Sequence, residues 1–146
     1  MTNYCILLFS ILPAEEEWER IVDLRGHWRF NLGDDFNWAD RDFDDSAWEK
    51  IFTPGRWEDE GYPGYDGYAW YRTAFQLDKK YEKRHVYVRL WQIDDVDEVY
   101  INGHLIGFSG SFPPDYIMAY RVTRIYRIPA EYLTFNKKNS IAVRVY

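Results

Sequence analysis

Cysteine is almost missing from this chain of 146 residues. Only Cys5 is present, so no disulfide framework can staple the fold and a buried apolar core has to hold it. Histidine is sparse as well. His27, His85 and His104 are far apart, and no two have the spacing of zinc or iron ligands. There is no run of Lys and Arg: 18 basic residues stand against 24 acidic ones, and the net charge is −6. Nucleic acid and anionic membrane surfaces both select clustered cations, so neither is an expected partner. No apolar stretch approaches the roughly 20 residues that a bilayer-crossing helix requires. Long helical periodicity, internal repeats, linkers and low-complexity tracts are absent too.

The one notable apolar run is Cys5 to Leu12, CILLFSIL, followed by Pro13-Ala14 and then Glu15-Glu16-Glu17. A short apolar core, a small residue and an abrupt acidic start resemble an export leader, although the basic residues that usually precede one are missing. On that reading residues 1–14 are a signal peptide, 15–25 a lead-in and 26–146 the domain, and the protein is secreted or periplasmic. The other reading of the same run is an apolar strand of the fold. At the far end, Tyr146 directly follows an apolar alternating strand with no polar tail, which reads as a module truncated from a longer protein.

Aromatic residues are abundant, with Trp 7, Tyr 13 and Phe 9. Aromatics favour strands, and exposed ones offer faces for stacking on flat ligands. Val86, Val88 and Leu90 alternate with Tyr87, Arg89 and Trp91, as in a strand with one face in a core. Val99 to Ile106 contains Asn102-Gly103 between two apolar alternating runs, a strong sign of a tight hairpin. With the acidic crossing at Asp94 to Asp97 between them, these segments are expected as the middle of one antiparallel sheet. Gly26 to Phe30, Glu49 to Thr53, Ala69 to Leu77, Arg124 to Ile128 and Asn139 to Tyr146 read as further strands. Asp44 to Trp48 reads as a capped turn, and Pro129 to Leu133 as a helical turn with Pro at its first position. Many short strands at turn-marked intervals predict an all-β sandwich.

Candidate chemistry is thin. Gly107-Phe108-Ser109-Gly110-Ser111 approaches a nucleophile-elbow pattern but lacks its last glycine and its strand-to-helix setting. Asp94-Asp95-Val96-Asp97-Glu98 has the acid density of a calcium loop without the mid-loop glycine and terminal glutamate of the twelve-residue pattern; calcium held between sandwich loops stays open. The carboxylates are too many for a glycosidase pair to be picked out. The residues alone therefore describe a non-catalytic sandwich with two aromatic-rich loops, Arg56 to Tyr68 and Ser109 to Arg121.

Four ordered elements add to this: Asp44-Asp45-Ser46-Ala47-Trp48 through Pro54-Gly55-Arg56-Trp57-Glu58, Tyr65-Asp66-Gly67-Tyr68-Ala69-Trp70-Tyr71-Arg72, Val99-Tyr100-Ile101-Asn102-Gly103, and Asn139 to Val145. Together they resemble the N-terminal sugar-binding domain of glycoside hydrolase family 2, the family of β-galactosidases, β-glucuronidases and β-mannosidases. The resemblance implies a jelly-roll β-sandwich of the galactose-binding-domain type. It implies that the catalytic barrel lies in a separate C-terminal domain not contained here, and that carbohydrate is the partner. It also implies that Asp66 reaches toward the sugar, with Tyr62, Tyr65, Tyr68 and Trp57 beside it; Asp66 as a cap of the turn at Gly67 is the plainer alternative. Asn102 and Gly103 read as turn-formers, and Trp70 as core. Ile93 to Glu98 and Arg124 to Pro129 are closer to the same module in sialate O-acetylesterases and in extracytoplasmic bacterial sensors, which keeps a ligand-binding role in such a host open. No cofactor is expected.

Overall fold

The computed structural model describes residues 6–11 and 18–146, leaving aside the side chains of residues 6–11, 57 and 58. Among the described residues the elements are β1 (Ile6–Ile11), β2 (Trp18–Asp23), β3 (Gly26–Leu32), β4 (Glu49–Thr53), β5 (Ala69–Gln76), β6 (His85–Gln92), β7 (Asp97–Ile101), β8 (His104–Ser109), β9 (Thr123–Ile128) and β10 (Lys138–Val145), joined by loops and short 3₁₀ turns. They form a four-stranded sheet, β2-β1-β6-β9, and a six-stranded sheet, β4-β3-β5-β10-β7-β8, with neighbouring strands antiparallel throughout. The two sheets stack as a jelly-roll β-sandwich. No helix among the described residues is long and apolar enough to cross a membrane.

Alternation placed the core correctly. Val86, Val88 and Leu90 on β6 are buried, as are Ile141, Val143 and Val145 on β10, and all join one cluster with Trp28, Phe30, Phe75 and Leu77. The Asn-Gly hairpin forms as expected between β7 and β8, with φ of 50° at Asn102 and 84° at Gly103. Asn102 contributes more than its turn: its amide donates to the Tyr132 carbonyl at 2.7 Å and to Asn139 Oδ1 at 2.8 Å, and it accepts from the Ser140 N–H at 2.8 Å.

Two expectations change. β6 and the hairpin are not one sheet: β6 is an inner strand of the four-stranded sheet, while β7 and β8 close one edge of the six-stranded sheet. The acidic crossing is where the chain passes between layers. The segment expected as a lead-in contains β2, and Ile6–Ile11 pairs with β2 on one side and β6 on the other. A leader ending at Ala14 would remove that inner strand, so the export role and the strand role exclude one another in a single mature chain.

The crossing carries a buried ion pair. Asp97 and Arg124 side chains are both 0% exposed, and Arg124 Nε donates to Asp97 Oδ1 at 2.6 Å. Arg124 comes from β9 and Asp97 from β7, so the pair ties one sheet to the other. The guanidinium also donates to the carbonyls of Ala119 (2.8 Å) and Asp95 (3.0 Å), and the Tyr126 hydroxyl donates to Asp97 Oδ2 at 2.8 Å. Burial pushes the Asp97 carboxyl above its ordinary value, against the pull of Arg124 and Tyr126. Gly107 exists for this arrangement: a Cβ there would stand 2.2 Å from the Tyr126 ring.

Removing one member of a buried pair leaves an uncompensated charge. Arg124→Met is expected to cost about 3–5 kcal/mol, whereas Asp97→Leu combined with Arg124→Met should cost less than the sum of the two single changes. Urea unfolding of the four proteins measures the coupling; additive losses would show that the pair does not act as a unit.

Candidate functional site

The loop of residues 56–68 feeds β5, and its glycines let it fold back on itself. Tyr65 donates its hydroxyl to the Tyr68 carbonyl at 2.8 Å, and a Cβ on Gly67 (φ 158°) would lie 2.9 Å from that hydroxyl. Gly33 N–H donates to the same carbonyl at 2.8 Å, anchoring the loop to the end of β3. Tyr62 turns inward. Its ring packs on Phe30 at 5.1 Å, its hydroxyl donates to the Glu49 carboxylate, and that bond together with burial pushes the phenol up to about 12. Asp66 is exposed, and no hydrogen bond or ion pair holds it among the described residues. The side chain of Trp57 lies outside the described residues.

The sequence candidates therefore do not share one face. Tyr62 belongs to the edge of the core and Tyr65 braces its own loop. Tyr68 joins a different cluster, and Asp66 stands free at the loop surface. The hydroxyl of Ser109 lies 2.6 Å from that of Tyr126, in the network around Asp97. The acids of the crossing separate: Asp97 is buried, and Asp95 accepts from the Tyr116 hydroxyl. Among the described residues no group of three or more His, Cys, Asp or Glu could hold a metal ion.

Sequence reasoning missed the cluster that Tyr68 joins. It is built on Arg144, which lies on the face of β10 away from the main core. Arg144 Nε donates to Asp34 Oδ1 at 2.7 Å, and Nη1 to Glu98 Oε2 at 3.1 Å. Trp70 Nε1 donates to Asp34 Oδ1 at 3.0 Å, and the Tyr100 hydroxyl to Glu98 Oε2 at 2.8 Å. The guanidinium carbon sits 4.0 Å from the Phe112 ring centroid, 4.5 Å from Phe36 and 4.9 Å from Tyr68. Phe112 and Tyr68 stack at 5.7 Å, nearly parallel. The signal available beforehand was an arginine in the middle of the apolar run of β10, which needs paired carboxylates if its face is covered.

This cluster is a mutually paired platform in which each charge has its counter-charge. The Arg144 charge is compensated twice, and the carboxylate that burial pushes upward, Asp97, is sealed between the sheets. Burial of Asp34 opposes its ionisation, but the hydrogen bonds from Arg144 and Trp70 outweigh it and hold Asp34 below the usual carboxylate value. A folded-state value below the unfolded one, about 3.9, gives stability that is present above that pH and lost as pH falls through the folded value. Asp34→Asn is thus expected to lower the thermal midpoint at neutral pH and to narrow its gap to the unaltered protein as pH drops below about 4. Melting curves at neutral pH, pH 5 and pH 3.5 check this; a gap independent of pH contradicts it.

No family model matches the chain. A β-galactosidase of Bacteroides ovatus is 30% identical over 138 residues, covering 84% of this chain and 15% of that enzyme. A solved Bacteroides uniformis β-glucuronidase superposes with a TM-score of 0.70 at 27% identity, over 84% of this chain and 14% of that one. A glycoside hydrolase family 2 member from Bacteroides cellulosilyticus shares the fold, with a TM-score of 0.69 at 22% identity, over 94% of this chain and 17% of that one. The chain thus spans about a seventh of the length of the curated relative. With its sandwich topology, the ordered D-G-x-x-W-Y-R and Y-I-N-G elements and these likenesses in agreement, the chain is similar to a single β-sandwich domain of the much longer glycoside hydrolase family 2 enzymes.

Proposed function

We propose that this chain is the non-catalytic, carbohydrate-associated domain of a family 2 glycoside hydrolase, and that the loop bearing Asp66 faces the sugar held by a catalytic domain elsewhere in the protein. The observation that carries the reading is the asymmetry of the match: 84% of this chain aligns with 15% of a β-galactosidase. A sandwich of this size leaves no room for a barrel of roughly 250 residues.

The loop chemistry supports the finer part. Asp66 is exposed and uncommitted among the described residues, beside a backbone held by Tyr65 and Gly33. A carboxylate can accept hydrogen bonds from two sugar hydroxyls, and a braced loop loses little entropy when it does so. Tyr68 and the Arg144 platform fix where that loop enters β5.

The 146-residue chain alone is expected to release no nitrophenol from p-nitrophenyl β-galactoside or β-glucuronide. In the full-length hydrolase containing it, Asp66→Ala should raise KM by about 10-fold or more, the loss of a hydrogen bond to a charged group, with a smaller rise for Asp66→Asn. Turnover by the isolated chain would sink the non-catalytic reading. An unchanged KM in the Asp66→Ala enzyme would sink the sugar-facing role of the loop.

A further inference from the structure

On the outer face of the six-stranded sheet, a cleft of about 210 Å³ lies across β4, β3, β5 and β10, away from the Asp66 loop and the Arg144 platform, with which it shares no lining residue. Its walls carry Arg29, Arg41, Lys50, Arg72 and Lys138, against a single carboxylate, Asp45. In a chain of net charge −6 this concentration of positive charge is local and pronounced. Three of the cations are direct cross-strand neighbours: Lys50 opposes Arg29, and Arg29 opposes Arg72. Like charges placed opposite one another destabilise a sheet unless an anion lies between them. Asp45 supplies part of that anion, at 2.9 Å from Arg72 Nε and 3.9 Å from Arg29 Nε. No carboxylate among the described residues pairs with Arg41, Lys50 or Lys138.

A second, independent observation points into the same cleft. Ser140 lines it, is 4% exposed, and its hydroxyl has no hydrogen-bond partner among the described residues. A buried donor left unsatisfied costs stability unless something completes it. Arg41 is held in place by its bond to the Lys138 carbonyl at 2.9 Å, and Arg29 by its bond to the Trp48 carbonyl at 3.0 Å, so the cations are oriented in advance. Phe43 adds an apolar wall.

We infer that this cleft is a binding site for the anionic group of an acidic saccharide, a carboxylate or sulfate ester on one sugar ring. Arg29, Arg41, Lys50 and Lys138 bind the oxyanion and the Ser140 hydroxyl donates to it, while Arg72, buried and committed to Asp45 and the Trp38 carbonyl, backs the site with its charge beneath the Phe43 ring. The volume suits one ring, being below the roughly 300–1,000 Å³ of ordinary small-molecule pockets. The oxyanion part of the assignment rests on the cleft alone; the saccharide part rests on the carbohydrate reading above.

An amide NMR titration of the 146-residue chain tests it, with tri-galacturonate, neutral tri-galactose and sodium sulfate compared at constant ionic strength. Saturable shifts centred on Arg29, Lys50 and Ser140 are expected with tri-galacturonate and none with tri-galactose, weakening as salt rises. The exposed pair Lys50→Ala and Lys138→Ala, with a preserved spectrum showing that the fold stands, should weaken binding about 10-fold or more. Asp66→Ala should bind like the unaltered chain, which separates this site from the loop. Sulfate binding as tightly as tri-galacturonate would overturn the saccharide assignment. No saturable binding, or binding indifferent to the two lysines, would overturn the site itself.

Discussion

β10 is buried on both faces, and most of what this domain can present follows from that. Its inner residues, Ile141, Val143 and Val145, fill the space between the sheets. Its outer residues are Ser140, Ala142 and Arg144, and they too are buried, beneath the loop of residues 33–48. An inner strand with two covered faces would ordinarily be apolar throughout. Here only Ala142 is apolar on the outer side, packed against Trp70 with Ala39 and flanked by Trp38, Trp48 and Tyr100. The polar positions on either side of that plug have to be satisfied by other means. Arg144 meets this with Asp34, Glu98 and a ring of aromatics. Ser140 meets it with nothing among the described residues, and that difference is what separates a finished structural cluster from an open cleft.

The same logic acts between the sheets at Asp97 and Arg124. A sandwich whose layers met only through apolar contacts could slide; a pair of fully buried charges, one from each sheet, has a single geometry in which both are compensated. Tyr126, Ser109 and the bare backbone of Gly107 complete that geometry. Asp97, the carboxylate that burial pushes upward, is therefore structural. Strong perturbation marks functional sites often enough to be a useful guide, but it carries no functional meaning where no substrate can reach the group.

How much of this was legible in the sequence depended on whether the information was local. Period-two alternation revealed the inner faces of β6 and β10, and Asn102-Gly103 revealed the hairpin, because strand faces and positive φ are set by adjacent residues. Sheet membership was not legible: the hydrophobic pattern of β6 is the same whichever layer it enters, so β6 and β7 read as one sheet although the chain changes layers between them. Asp97 read only as part of an acid-dense stretch with some likeness to a calcium loop, since its partner lies 27 residues away on another sheet. Of the candidate site, Asp66 was picked out by resemblance alone and lies exposed on its loop, whereas Tyr62 and Tyr65 look like Tyr68 in sequence and differ only in where the loop turns them.

The cleft shows the same limit from the side of charge. Absence of a basic run argues against a partner that needs a continuous track of cations, such as a nucleic-acid backbone, and a compact cleft on one face does not change that. It does not argue against one small anion. Arg29, Arg41, Lys50, Arg72 and Lys138 are scattered along the chain, and the sheet brings them together because β4, β3, β5 and β10 are neighbours. Screening confines each charge to about 8–10 Å at ordinary salt, so the net negative charge of the molecule and a positive cleft coexist without cancelling. A net charge summed over the whole chain is therefore a statement about long-range behaviour, and the ligand of a site is decided by the few side chains within a Debye length of it.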